Sequence, residues 1–259
     1  MIDQFEDYQA MRGWSPSTLK RRRWTLTKFS EGCELDTATR SDVERFISQR
    51  SAPSSRRSLL SDLRGFYEWA NDRELVAVNP TKGVGTIKVP DRQARPLSDA
   101  DLALAISSAR TRGLRQAIML GVYAGLRVSE IAALEWRDVR PASRELIVRD
   151  GKGGKSRTLR LASELAAALA ELDRRPDGRV IGTTGANVSQ RIRGLFARLG
   201  IDHRPHDLRA TFGTKVAERH DILTAQRMLG HSSVKTTQGY LGWTPDASDS
   251  LDGLYGDAA

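Results

Sequence analysis

The segment Y-A-G-L-R-V-S-E, residues 123–130, places Arg127 where one helix, ended by Gly125, gives way to the next. A guanidinium beside the free N–H groups of a helix start makes an anion site. The commoner use of such an arginine is an ion pair, here with Glu130. A second basic pair stands in R-P-H-D-L-R-A-T, residues 204–211. Pro205 suits the first helical position, and His206 and Arg209, three apart, share one face of the helix start. His203 with His206 would be the beginning of a metal site, but no carboxylate or cysteine falls at ligand spacing to complete it, so no metal is expected. Farther on, L-G-H-S-S (229–233) sets His231 in a turn after a helix closed by Gly230. Tyr240 follows in V-K-T-T-Q-G-Y-L. Taken singly, His231 reads as a capping residue and Tyr240 as a half-buried aromatic.

A further stretch, R-D-G-K-G-G-K-S-R-T-L-R-L (149–161), contains G-K-S, the ending of a nucleotide-binding loop. Such a loop needs G-x-x-x-x-G-K-[ST] with a helix after it. Aligned on Gly154-Lys155-Ser156, the first glycine falls on Arg149, and S-R-T-L-R-L alternates like a strand. The nucleotide reading fails. What remains is a glycine-rich turn between two strands, E-L-I-V-R-D and S-R-T-L-R-L, with Lys152 and Lys155 at its tip. A solubilising exposed turn would look the same.

These positions need a scaffold, and the composition bounds it. The 259 residues hold 41 Lys and Arg against 32 Asp and Glu, a formal charge of +9, with a pI near 10.0. That balance favours a polyanionic partner, most simply nucleic acid. Residues 1–95 carry a net +4, residues 96–245 a net +9 and residues 246–259 a net −4. A single cysteine, Cys33, allows no internal disulfide. The acidic, polar opening is unlike a signal peptide, and no apolar run approaches the ~20 residues that cross a bilayer. A cytoplasmic, DNA-associated protein is expected, with no membrane partner.

Residues 1–78 read as a helical domain. Ser15-Pro16 caps a helix that sets Leu19, Leu26 and Phe29 to one side. T-R-S-D-V-E-R-F-I-S-Q-R uses Val43, Phe46 and Ile47, and P-S-S-R-R-S-L-L-S-D-L-R-G-F-Y-E-W-A buries Leu59, Leu63, Phe66 and Ala70. Lys20 and Arg21 on the first of these helices, and Ser54, Arg57, Ser61 and Arg64 on the last, form hydroxyl-and-arginine faces suited to a phosphate backbone. Residues 79–96, with three prolines and two glycines, read as a linker. Residues 97–245 open with the capping box Ser98-x-x-Asp101. Helices follow around 114–124 and 128–138, then the two strands, then helices at 163–173, 187–199, 205–219, 222–229 and 233–241. Residues 246–259 form an acidic tail.

Arg127, the hairpin lysine, His206-x-x-Arg209, His231 and Tyr240 occur in the order and spacing of the tyrosine recombinases, the phage integrase family with its Xer members. The motifs A-G-L-R-x-S-E, G-K-G-x-K, H-x-L-R-x-T and L-G-H-x-S…Y carry the resemblance, which spans essentially the whole chain. It implies a mainly α fold with a small antiparallel β-sheet: a helical SAM-like core-binding domain followed by an α/β catalytic domain. It further implies that Arg127 and Arg209 clamp the scissile phosphate, that Lys152 is the general acid rather than Lys155, and that His206 and His231 bind the phosphate and assist proton transfer. Tyr240 would be the nucleophile and Glu130 a supporting residue. Tyr255 lies outside the motif.

The chemistry fits those residue types. A phenol with a pKa of about 10 is a poor nucleophile unless cations favour its anion. Two arginines do that and also stabilise the charge gathering on a pentacovalent phosphorus. A lysine supplies the proton that the leaving 5′ oxygen needs. A 3′-phosphotyrosyl link conserves the phosphodiester energy, so no ATP, metal or other cofactor is implied. The resemblance implies double-stranded DNA recombination sites as partners and a homo-oligomer, four protomers acting on two sites. The tail's Leu251, Leu254 and Tyr255 would suit docking on a neighbouring subunit. Because the helical block begins almost at residue 1, the resemblance is to a compact Xer-like enzyme or a small integrase. Two other functions compete: type IB topoisomerase-like DNA relaxation, and a non-catalytic DNA-binding regulator.

Overall fold

The structure is a computed structural model, and it describes residues 1–90, 95–140, 142–149 and 156–230. Lys152, Lys155, His231, Tyr240, the expected helix at 233–241 and the acidic tail lie outside the described residues. The chain divides into two compact units, Met1–Asp91 and Arg92–Ala259.

Four helices make the first unit: α1 (Ile2–Met11), α2 (Pro16–Ser30), α3 (Arg40–Ser48) and α4 (Pro53–Asp72). Local chemistry starts three of them. Ser15 accepts the Thr18 N–H ahead of Pro16, Thr39 and Asp42 form a reciprocal capping box, and Pro53 occupies the first turn of α4. Leu26, Phe29, Val43, Leu63, Phe66 and Tyr67 fill the core, with Phe5 edge-on to Phe66 at 5.4 Å. Inside this apolar packing, Asp62 accepts from Thr25 Oγ1 at 3.0 Å and pairs with Arg21 at 2.9 Å. Burial raises the Asp62 pKa, opposed by those partners. Part of the stretch expected as a linker folds onto this unit: Asn79, Thr81 and Val84 are buried.

The second unit comprises α5 (Asp99–Ser108), α6 (Leu114–Tyr123), α7 (Val128–Ala133), a 3₁₀ turn (Trp136–Asp138), β1 (Val139–Arg140), β2 (Glu145–Val148), β3 (Arg157–Arg160), α8 (Ser163–Ala170), α9 (Gly185–Leu199), α10 (Pro205–Arg219) and α11 (Ile222–Leu229). The fold is mainly α with one small antiparallel sheet in the order β1-β2-β3. Register in the β2–β3 hairpin pairs Leu146 with Leu159 and Val148 with Arg157. The two leucines face the core, together with Ile118, Leu120, Leu165 and Ile192. At Arg149, where a phosphate-cradling loop would need glycine, the guanidinium pairs with the buried Asp138.

The expected helix over 128–138 ends at Ala133 instead. Leu134 is extended, its carbonyl accepts the Val180 N–H at 2.9 Å, and the Trp136 N–H donates to the Gly178 carbonyl at 2.9 Å. Pairing with this distant segment outcompetes local helix propensity, because both sets of backbone groups are then satisfied. Residues 139–140, beyond that helix, add a third strand to the expected pair.

Candidate active site

A buried arginine organises the site. Arg209 lies in the first turns of α10, which begins with Pro205 at its first position and packs against α6 and α11. The residue is only 1 % exposed. Its guanidinium donates to the carbonyl of Gly125 and, at 2.5 Å, to that of Leu229. The first carbonyl belongs to the turn leaving α6, the second to the last residue of α11. A cation at a helix C-terminus is favoured by the carbonyls that lack intrahelical partners. Gly125 permits this junction because its φ is +61°, and a Cβ there would stand 2.5 Å from Phe212 Cδ1. No other residue type fits both the conformation and the space.

Two residues on, Arg127 occupies the position just before α7. Glu130, at the third position of α7, accepts the Arg127 backbone N–H at 2.8 Å and Arg127 Nη1 at 2.8 Å. Arg157 of β3 donates to both Glu130 oxygens, at 3.1 Å and 2.9 Å. Arg209 Nη1 stands 3.7 Å from the same carboxylate. Burial by itself would raise the Glu130 pKa. The hydrogen bonds from Arg157 and the Arg127 N–H, with the nearby guanidinium charges, overcome it and hold the group at about 2. Glu130 is therefore ionised throughout the physiological range.

Arg127, His206 and Arg209 open onto one cleft of about 660 Å³, also lined by Ser129, Ser189, Arg193 and Arg204. No carboxylate is among the described residues that line it. His206 is exposed at the cleft, yet the protein around its ring and the cations Arg209 and Arg127 lower its pKa, opposed by Asp207. The imidazolium is thus disfavoured in the free protein. Four guanidiniums, one imidazole and two hydroxyls converging on a cleft with no carboxylate among its described lining residues can bind a phosphodiester and stabilise added negative charge on it.

Of the expected catalytic residues, Arg127, His206 and Arg209 are brought together, with Glu130 directly behind them; Lys152, His231 and Tyr240 lie outside the described residues. Sequence reasoning missed Arg157, Arg193, Arg204 and Ser189. The four-residue spacing of Ser189 and Arg193 on α9 was the available signal for one pair; nothing local marks Arg157 as the partner of Glu130.

On the first unit, Lys20, Arg21, Ser54, Arg57 and Ser61 are exposed. Arg21 and Ser54 line a groove of about 410 Å³ with Trp24, Arg50, Ser55 and Ser58, and Arg50 lies over the Trp24 ring at 5.4 Å. Arg64 is turned the other way: half-buried, it donates to the Val84 carbonyl at 2.5 Å.

A helical first unit, a mainly helical second unit carrying a small three-stranded sheet, and a cationic cleft lined from α7, α9 and α10 define a class of protein. The phage integrase family matches residues 92–245, and the phage integrase N-terminal SAM-like domain matches residues 2–74. The chain belongs to the phage integrase family. Tyrosine recombinase XerC of Xanthomonas axonopodis pv. citri (strain 306) is 32% identical, the alignment covering 92% of this chain and 90% of the relative. Among solved structures, a lambda integrase dimer bound to a COC′ core site superposes with a TM-score of 0.78 at 19% identity, covering 95% of this chain and 78% of that one. A lambda integrase tetramer bound to a Holliday junction superposes with a TM-score of 0.73 at 18% identity, covering 90% and 76%. Among the described residues no helix is long and apolar enough to cross a membrane.

Proposed function

We propose that this protein is a site-specific DNA recombinase that cuts and rejoins strands through a 3′-phosphotyrosyl link on Tyr240. The observation that carries the reading is the convergence of Arg127, His206 and Arg209 on one cleft that no carboxylate lines among the described residues. Arg127 and Arg209 hold the non-bridging oxygens of the scissile phosphate and gain strength as charge accumulates there in the transition state. His206, its imidazolium disfavoured in the free protein, takes up or shares a proton once the phosphate is bound. Tyr240 attacks phosphorus, and Lys152 gives a proton to the departing 5′ oxygen, with His231 assisting. Rejoining reverses these roles and needs no ATP, because one phosphodiester has been exchanged for another.

The partners are duplex recombination sites, and the working form is a tetramer holding two of them. Lambda integrase has been captured as a dimer on a core site and as a tetramer on a Holliday junction, and relatives across most of this chain are named recombinases, which supports this reading over topoisomerase-like relaxation. Arg193, Arg204 and Ser189 extend the cleft beyond the room a single phosphate needs and would grip the neighbouring strand. The groove of Arg21, Trp24, Arg50 and Ser54 on the first unit would take a second stretch of backbone.

The test begins by selecting bound duplexes from a randomised pool. A selected duplex nicked near the cleavage point is incubated with the protein and run on a denaturing gel. A covalent protein–DNA band that disappears in Tyr240→Phe is expected. A protein that binds its selected duplex tightly and never becomes attached is a regulator, and the enzymatic reading fails.

A further inference from the structure

Three guanidiniums surround the Glu130 carboxylate, yet only two of them open onto the cleft. Arg127 and Arg209 line it; Arg157 does not. Arg157 comes from another element, β3, and its side chain is 10% exposed. Its two bonds to Glu130, one to each oxygen at 3.1 Å and 2.9 Å, form the paired geometry that a planar guanidinium makes with a carboxylate. Arg127 makes one side-chain bond to the same group, and Arg209 stands farther off at 3.7 Å. Glu130 itself is required locally, since it caps α7 through the Arg127 N–H. The fold thus places a carboxylate directly behind an anion site, where without compensation it would offset the charge of both cleft arginines.

We propose that Arg157 is a positioning residue whose charge neutralises Glu130, so that less of the positive charge of Arg127 and Arg209 is offset when they face a bound phosphate. The proposal rests on the cleft being the phosphate site. Charge arithmetic gives its physical content. In the cluster around Glu130, one carboxylate against Arg127 and Arg209 leaves a single net positive charge, and adding Arg157 leaves two, beside those of Arg193 and Arg204 elsewhere in the cleft. The residue also joins three segments of the site. It is the first residue of β3. It bonds to α7 through Glu130. It packs against the end of α11, where a Cβ on Gly230 would lie 3.3 Å from Arg157 Cδ. A lysine could supply the charge, but a single ammonium cannot span both carboxylate oxygens in this way.

The test separates neutralisation from ordinary structural damage. Wild type, Arg157→Met, Glu130→Gln and the double variant Arg157→Met/Glu130→Gln are compared in the full chain. The first readout is protection of the free protein against thermal unfolding by inorganic phosphate, which needs no cleavage. The second is the rate of covalent attachment to the selected, nicked duplex. Arg157→Met is expected to weaken phosphate binding by about tenfold or more and to slow attachment at least as much. The double variant, which removes the unbalanced carboxylate, should recover most of the phosphate affinity although it has lost one more native contact. Unchanged phosphate affinity in Arg157→Met overturns the proposal, and so does a double variant that binds phosphate as weakly as the single. If wild type binds phosphate and the rescue appears but no variant attaches to DNA, neutralisation stands and the recombinase reading falls.

Discussion

Arg209 Nη2 donates to the carbonyl of Leu229 at 2.5 Å, so one buried guanidinium closes the C-terminal end of α11 while also reaching the Gly125 carbonyl on the far side. The residue proposed to hold phosphate therefore also ties the turn before Arg127 to the end of α11. The proposed phosphate site and local stability share a single side chain.

Arg209→Lys tests that double role. One ammonium cannot serve both carbonyls, so a charge-assisted bond worth about 1.5–3 kcal/mol is lost. A lower thermal midpoint is expected together with a fall in covalent attachment of about a hundredfold or more. Wild-type stability in this variant would show that the second bond contributes nothing.

Gly125→Ala places a methyl group 2.5 Å from Phe212 Cδ1 at a backbone φ of +61°. Strain and overpacking together predict a loss of roughly 3 kcal/mol in urea unfolding. Adding Phe212→Leu should return part of it, because only the packing component is relieved. No recovery in the double variant would assign the whole effect to the backbone.

Acid stability follows from Glu130. Its folded pKa of about 2 lies below the ordinary 4.5, so in this range the unfolded chain binds the extra proton and stability rises with pH. The contribution is fully present above about 4.5 and disappears as pH falls toward about 2. It is of the order of 3 kcal/mol. Glu130→Gln should flatten the stability profile across that window; a profile as steep as wild type would place the acid sensitivity elsewhere.

His206 titrates in the opposite sense on binding. Burial and neighbouring cations depress its pKa in the free protein, and a phosphate beside it favours the imidazolium, so DNA binding takes up a proton. Affinity for the selected duplex should increase as pH falls from about 8 to about 6, and His206→Gln should remove most of that dependence. A pH dependence that survives the substitution belongs to another group.

Salt dependence distinguishes the arginines. Arg193 and Arg204 line the cleft, are exposed and have no ion pair among the described residues, so replacing either by alanine should lower the slope of log affinity against log salt by about 0.9. Arg57→Ala, on an exposed position of α4, should do the same. Arg64→Ala should leave the slope unchanged and reduce stability, because its guanidinium is held by the Val84 carbonyl. A changed slope in Arg64→Ala would return that residue to the DNA-facing set.

Much of this protein was readable from spacing alone. Ser15-Pro16, Ser98-x-x-Asp101 and Pro205 mark helix starts because capping acts within one turn. Leu59, Leu63, Phe66 and Ala70 are buried, as a helical period requires. Arg127 with Glu130, and His206 with Arg209, are local pairs and were identified as such. The tertiary structure decided the rest. It brought Arg157 to Glu130 across 27 positions, turned Arg64 toward Val84 across 20, drew Arg193 and Arg204 into the cleft, and stopped α7 at Ala133 by pairing Leu134 with Val180. Capping and helical periodicity are interactions of near neighbours, so they are written in the order of the residues. Which partner a charge or a backbone carbonyl finds across the fold depends on how whole elements pack, and the distance along the chain carries no record of it.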